Sequence, residues 1–224
     1  MRGRSHRFSP PALRGPAQTD NALAALAALD AVQPRLPTTH ADRSAALAEV
    51  RLAGRLQVVG SAPLRVVDVA HNPAGSEQLA GWLRGQGGAG RVHLVLGMLA
   101  HKDHAGFMRA VAAPRVDLGV DPGKDPGADP ETDPGTAPRA AVEAAWYLAD
   151  LPGPRGASAA VLRLALQDIA PAASASCHAS VADACAAALR EAAPGDRIIV
   201  TGSFETAAAA LRLPAFAGAG GARV

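Results

Sequence analysis

The sequence predicts an α/β fold, a largely parallel sheet covered by helices on both faces, preceded by a short helical piece. Three observations carry this. Beyond residue 55, compact apolar runs alternate with runs of helical spacing, the pattern that βα units leave in a chain. Two of those runs, VHLVL at 92–96 and RIIVT at 197–201, read as strands buried on both faces. Residues 1–54 offer helical spacing and no strand-like run. The chain therefore divides into a helical piece, 1–54, and an α/β domain, 55–224.

The elements follow in order. Residues 1–18 are basic, Pro-rich and irregular. In TDNALAALAALDAV, 19–32, apolar residues at 22, 23, 26, 29 and 32 give helix spacing, and Ala supplies propensity. Pro34 and Pro37 end that helix. A second helix fits 41–50, with Leu47 and Val50 inward, and Gly54 breaks it. Two short strands, 56–59 and 64–69, flank the turn signal GSAP and form a hairpin. Asn72 and Pro73 open a helix carrying Leu79, Trp82 and Leu83, and Gly85, Gly87 and Gly88 close it. After the strand at 92–96 a helix follows Asp103, with Phe107, Met108 and Val111 inward. A strand at 146–149 leads to a helix that starts at Ser158 and turns Val161, Leu162 and Leu166 inward. A helix at 179–191, the strand at 197–201 and a last helix at 205–211 complete the order.

One segment interrupts the pattern. DPGKDPGADPETDPGT, 121–136, repeats Asp-Pro every four residues, too rich in Pro and Gly for a helix or a ladder. Asp121, Asp125, Asp129 and Asp133 do not follow the alternate acidic positions and closing Glu of a calcium loop. A disordered surface insertion over about 118–140 is expected.

Composition excludes several functions. A net charge of +2 gives no electrostatic case for nucleic acid or an anionic membrane, and 3% aromatics argue against base-stacking platforms. No apolar run approaches the ~18–20 residues of a membrane span. The first fifteen residues hold no apolar core of a secretory signal, and Cys177 and Cys185 have no metal-type spacing, which points to the cytoplasm.

In an open parallel sheet, ligands bind outside the carboxyl ends of the strands. Four expected strands end in polar or glycine-rich turns, beginning at Asp68, Gly97, Asp150 and Gly202, and all four fall on one edge if the strands are parallel. Asp68 can accept two hydroxyl hydrogen bonds from a ribose there, or bond the amides of its own turn. Asn72-Pro73 is a helix cap, and His71 before it is placed toward the groove. Arg55, thirteen residues before Asp68 across the hairpin, can reach a phosphate bidentately or lie exposed. His101 and His104 are spaced for a metal, without an evident third ligand. Lys102 offers a phosphate-directed charge, Asp103 and Ser203 are N-caps, and Glu205 sits in a first helical turn. The chain has no G-x-x-x-x-G-K-[ST], no G-x-G-x-x-G after a strand, no G-x-S-x-G and no zinc cluster.

Six stretches in order resemble one family. They are GPAQTDNA (15–22), AGRLQV (53–58), DVAHNP (68–73), GMLAHKD (97–103), WYLADLPGPRGAS (146–158) and GSFETA (202–207). Together they resemble the C-terminal part of folylpolyglutamate synthase/dihydrofolate synthase, in the Mur ligase superfamily. The resemblance implies a Rossmann-like C-terminal domain that works with an N-terminal P-loop ATPase domain, of which 1–54 would be the end. It implies ATP-dependent addition of L-glutamate to dihydropteroate or folates through an acyl phosphate, with magnesium, in a cytoplasmic monomer. Gln18 and Asn21 would line the adenine side, Arg55 would approach the ATP phosphates, Asp68 the ribose, and His71 the nucleotide groove. Lys102, Ser203 and Glu205 would lie toward the substrate. The P-loop and the magnesium ligands would belong to sequence outside this chain. Ala17, Ala53, His101 and Glu205 depart from the family's His, Pro, Asp and His. Another Mur-type amino-acid ligase, or a non-catalytic nucleotide-binding module, are the alternatives.

Overall fold

The computed structural model describes residues 6–15, 17–86, 90–112 and 144–217. The segment expected as an insertion, with its four Asp-Pro pairs, lies outside them. Two helices come first, α1 (Ala17–Val32) and α2 (His40–Glu49). Thr39 caps α2 reciprocally with Asp42, which satisfies donors at both ends of the first turn. Neither helix buries a residue, and Leu23 is exposed on α1. Leu47 and Val50, expected inward, are only half-buried.

The hairpin follows as β1 (Gln57–Ser61) and β2 (Leu64–Val67). Next come α3 (Pro73–Gly85), β3 (Val92–Leu96), α4 (His104–Ala112), β4 (Ala144–Ala149) and α5 (Ala159–Ile169). Then come β5 (Ala175–His178), α6 (Val181–Glu191), β6 (Arg197–Thr201), α7 (Phe204–Leu211) and a single 3-10 turn at Pro214–Phe216. The sheet runs β1-β2-β6-β3-β4-β5. Only β1 is antiparallel; the other neighbours pair in parallel.

Side-chain alternation along the strands divides the core into two layers. Val66, Leu94, Leu96, Trp146, Leu148 and Ile199 pack with Leu79 and Leu83 of α3, Phe107 and Met108 of α4, and Leu162 and Leu166 of α5. Val67, Val95, Tyr147, Ile198 and Val200 pack with Val181, Ala184 and Ala188 of α6 and Ala207 and Ala210 of α7. The expected parallel sheet with helices on both faces is therefore present. Burial pushes the Cys185 thiol in α6 up to about 12, while Cys177 on β5 is exposed, and both are free.

Three local expectations change. β5 is a strand that the sequence reading passes over, because ASCH is short and partly polar and takes its form from its pairing with β4. The helix expected from 179 starts at Val181, where the Ser180 hydroxyl caps it by accepting from the Asp183 amide. Val161 is 47% exposed rather than inward, because Ala159, Leu162 and Leu166 set the buried face of α5.

β2 and β3 lead into helices on one face, while β6, between them, leads into α7 on the other. Such a divergence opens a crevice at the carboxyl ends of the strands.

Candidate functional site

The entry to β1 is an unusual piece of backbone. Gly54 has φ +69° and Leu56 has φ +42°, both left-handed, with Arg55 between them. A Cβ at position 54 would lie 2.6 Å from Cγ1 of Val69, so only glycine fits there. The Gly54 amide donates to Oε1 of Gln57 at 2.9 Å. The Leu56 amide donates to Oδ2 of Asp68, also at 2.9 Å, and the Ala70 amide donates to Oδ1 at 2.8 Å. Asp68 thus bonds backbone amides, the second of the two roles its position allows, while a carboxylate keeps lone pairs for further donors. Burial pushes its carboxyl above the usual range, against the pull of those amides, the Val69 amide and the Arg55 charge.

A cleft of about 340 Å³ opens between α1 and the β2–α3 turn. Gln18 and Asn21, one turn apart on α1, line one wall together with Arg14. Asn21 Nδ2 donates to Oε1 of Gln18 at 3.4 Å. Arg55, Leu56 and Asp68 line it from the hairpin, and Ala70, Ala74, Gly75 and Gln78 from the other wall, where small residues keep it open. Four of the residues that the sequence points to, Gln18, Asn21, Arg55 and Asp68, therefore share one cavity.

The remaining candidates stand elsewhere on the carboxyl edge. His71 does not line the cleft; its Nδ1 lies 2.9 Å from the Val69 carbonyl, and its ring tilts against Phe204 with centroids 6.1 Å apart. Asn72 caps α3 through the Gly75 amide. The Ser203 hydroxyl is buried, accepts from the Thr206 amide at 3.0 Å and lies 2.8 Å from Oγ1 of Thr206. Thr206 Oγ1 in turn donates to the Gly97 carbonyl at 2.7 Å, which ties the β6 turn to the β3 turn. Glu205 is 3.8 Å from Arg155, both of them exposed. The Lys102 amide donates to the Leu99 carbonyl in the turn after β3. His104 Nε2 lies 2.9 Å from that carbonyl, and Asp103 caps the Gly106 amide. Among the described residues no group of three or more His, Cys, Asp or Glu side chains is gathered to hold a metal ion.

Residues 54–204 match the family model "Mur ligase, glutamate ligase domain". The chain belongs to the Mur ligase family. That match starts at the left-handed glycine before Arg55 and ends at Phe204, so it takes in every strand of the sheet. The dihydrofolate synthase/folylpolyglutamate synthase of Escherichia coli K12 is 35% identical over 188 residues, 84% of this chain. The chain spans 36% of that protein's length. A structure of Escherichia coli FolC with DHPP and ADP superposes with a TM-score of 0.68 at 32% identity, over 90% of this chain and 39% of that one. A bifunctional folylpolyglutamate synthase/dihydrofolate synthase from Yersinia pestis, complexed with AMPPNP and Mn ion, gives 0.63 at 31% identity, over 91% and 40%. The Mur ligase fold expected from the six motifs is thus present.

Two cleft residues escape the sequence reading. Gln78 lies one turn beyond Ala74 on α3, a spacing that the DVAHNP motif, ending at Pro73, does not cover. Arg14 precedes the first motif by one residue and is the second guanidinium at the cleft. Helical spacing from Ala74 could have found the first; no signal in the sequence marks the second.

Proposed function

We propose that this chain is the nucleotide-holding part of an ATP-dependent carboxylate–amine ligase that adds L-glutamate to dihydropteroate or folates. One observation carries the reading: Gln18, Asn21, Arg55 and Asp68, far apart in sequence, line a single cleft between α1 and the turn after β2. Two guanidinium groups against one buried carboxylate give the cleft the charge of an anion site. ADP and AMPPNP in the two neighbouring structures support a nucleotide as its ligand. In this reading Gln18 and Asn21 face the base, Asp68 the ribose and Arg55 the phosphates. His71, Lys102, Ser203 and Glu205, on the same edge but outside the cleft, are assigned to the groove and the substrate side.

The chemistry such a ligase supplies is phosphoryl transfer to a carboxylate, followed by displacement of phosphate by the glutamate amine. That transfer depends on electrostatic clamping of the phosphates. The described residues do not fit a magnesium site: the one cleft carboxylate already accepts two backbone amides, and no acidic group stands beside it. We assign them no metal ligand and no catalytic step. We infer that residues 1–54 belong with a separate ATPase domain, that the ligase acts as a cytoplasmic monomer, and that this chain alone binds nucleotide weakly without turning it over. No helix among the described residues is long and apolar enough to cross a membrane.

The test is ATP titration of the 224-residue chain by NMR, with phosphate release assayed in the presence of folate or dihydropteroate and L-glutamate. Shifts at Asn21 and Asp68 without phosphate release support the reading. Absence of any response to millimolar ATP overturns the nucleotide site, and substrate-dependent phosphate release overturns the assignment of catalysis to another domain.

A further inference from the structure

Arg55 makes no hydrogen bond or ion pair with another described residue, so the turn that carries it sets its place at the cleft. That turn is held in a conformation that a leucine seldom takes. A left-handed φ is uncommon for a bulky residue and persists only where its surroundings fix it. Here Leu56, at φ +42°, is fixed from two sides: its side chain is buried in the core, and its amide donates to Oδ2 of Asp68. Asp68 is itself anchored, because its own amide donates to the Val200 carbonyl of β6 at 2.9 Å. The carboxylate therefore ties the Arg55 turn to the middle of the sheet across twelve residues of chain.

We infer that Asp68 is a positioning residue for Arg55: by accepting the Leu56 amide it fixes the left-handed turn that presents the guanidinium to an anionic group in the cleft. Asp68 then governs phosphate binding through Arg55, apart from a contact with a sugar. This rests on the nucleotide reading above and adds to it a coupling between the sugar and phosphate ends of the site. A ribose contact alone would leave a ligand without a sugar indifferent to Asp68.

The probes are ATP and inorganic triphosphate, titrated by NMR into the 224-residue chain as wild type, Asp68→Asn, Arg55→Ala and the double variant. Asp68→Asn keeps the size of the side chain but turns an amide donor or a weaker acceptor toward Leu56. It is expected to weaken triphosphate binding about tenfold, the scale of one charge-assisted contact. Arg55→Ala should do at least as much, and the double variant should bind no more weakly than Arg55→Ala, since the carboxylate acts through the guanidinium. The Leu56 amide should exchange faster in Asp68→Asn than in wild type. Where Asp68→Asn fails to fold, Gln57→Leu releases the Gly54 amide on the other side of Arg55 and should lower triphosphate affinity several-fold. Triphosphate affinity unchanged by Asp68→Asn, or by Gln57→Leu in its place, overturns this inference and leaves the nucleotide site standing. Additive losses in the double variant do the same. A wild-type chain that responds to neither probe overturns both.

Discussion

Two ends of the same sheet hold acidic groups in opposite ways. At the carboxyl edge, Asp68 is buried beside an open cleft, with two backbone donors and an arginine that approaches without pairing. Toward the amino edge, Asp196 accepts from the Ala193 and Arg91 amides at 2.8 Å and lies 3.2 Å from Nε2 of His93. His93 Nδ1 lies 2.9 Å from the Tyr147 hydroxyl, which donates to Glu191 at 2.7 Å. That array is closed: each member finds its partner inside the protein. The two carboxyls respond in opposite directions. Burial pushes Asp68 up, whereas the Ala193 amide, then the Arg91 amide and His93, hold Asp196 down. A polar array that satisfies itself serves the fold, and a charged group left open to a cavity is available to a ligand.

The largest expected effect lies at the closed end. Tyr147→Ala removes a fully buried ring and the hydroxyl that joins His93 to Glu191. It should destabilise the chain by about 3–5 kcal/mol in denaturant melts, while the folded fraction keeps its ATP affinity. A loss of ATP affinity in that folded fraction would erase the contrast between the ends.

Gly54→Ala comes next and joins the two properties at the open end. The left-handed backbone and the contact with Val69 should cost about 1–3 kcal/mol, and ATP binding should fall with it because Arg55 moves. A Gly54→Ala chain with wild-type melting would show that the turn is not rigid.

Arg55→Ala isolates binding. An exposed side chain with no hydrogen bond or ion pair to another described residue should change stability by less than about 0.5 kcal/mol, yet its loss should lower ATP affinity at least about tenfold, or ~1.4 kcal/mol. Calorimetric titration beside a thermal melt measures both quantities on one sample.

The smallest effect is a pH dependence, and its sign differs between the ends. Asp196 titrates lower in the folded chain, so its contribution is present above the unfolded carboxyl value and is lost as pH falls through its folded value. Asp68 titrates higher, so keeping it ionised costs stability as pH rises through its folded value. Asp196→Asn should flatten the acid limb of a melting-temperature profile from about pH 5 downward. Asp68→Asn should leave the acid limb in place and reduce the decline above it.

Much of this was legible in the chain. Apolar runs such as RIIVT and the alternation of helix and strand spacing determined the layered α/β fold, because strands buried on both faces admit little else. The helix caps at Asn72, Ser158 and Ser203 were equally local, since a hydroxyl or amide three residues before a free backbone N–H is sufficient to bond it. Motif order placed Gln18, Asn21, Arg55 and Asp68 as candidates. Tertiary structure alone decided that those four share a cleft while His71, Lys102, Ser203 and Glu205 lie outside it, because their meeting depends on how α1 and the hairpin settle on the sheet. It alone decided β5, whose polar sequence pairs only because β4 offers an edge, and the closed array of His93, Tyr147, Glu191 and Asp196, whose members come from separate elements. It also decided what Asp68 does: its carboxyl bonds the Leu56 and Ala70 amides, because a left-handed residue at the start of β1 turns an N–H toward the end of β2. Local patterns report what a residue can do within a few neighbours along the chain, and the choice among those possibilities belongs to contacts that the chain makes only on folding.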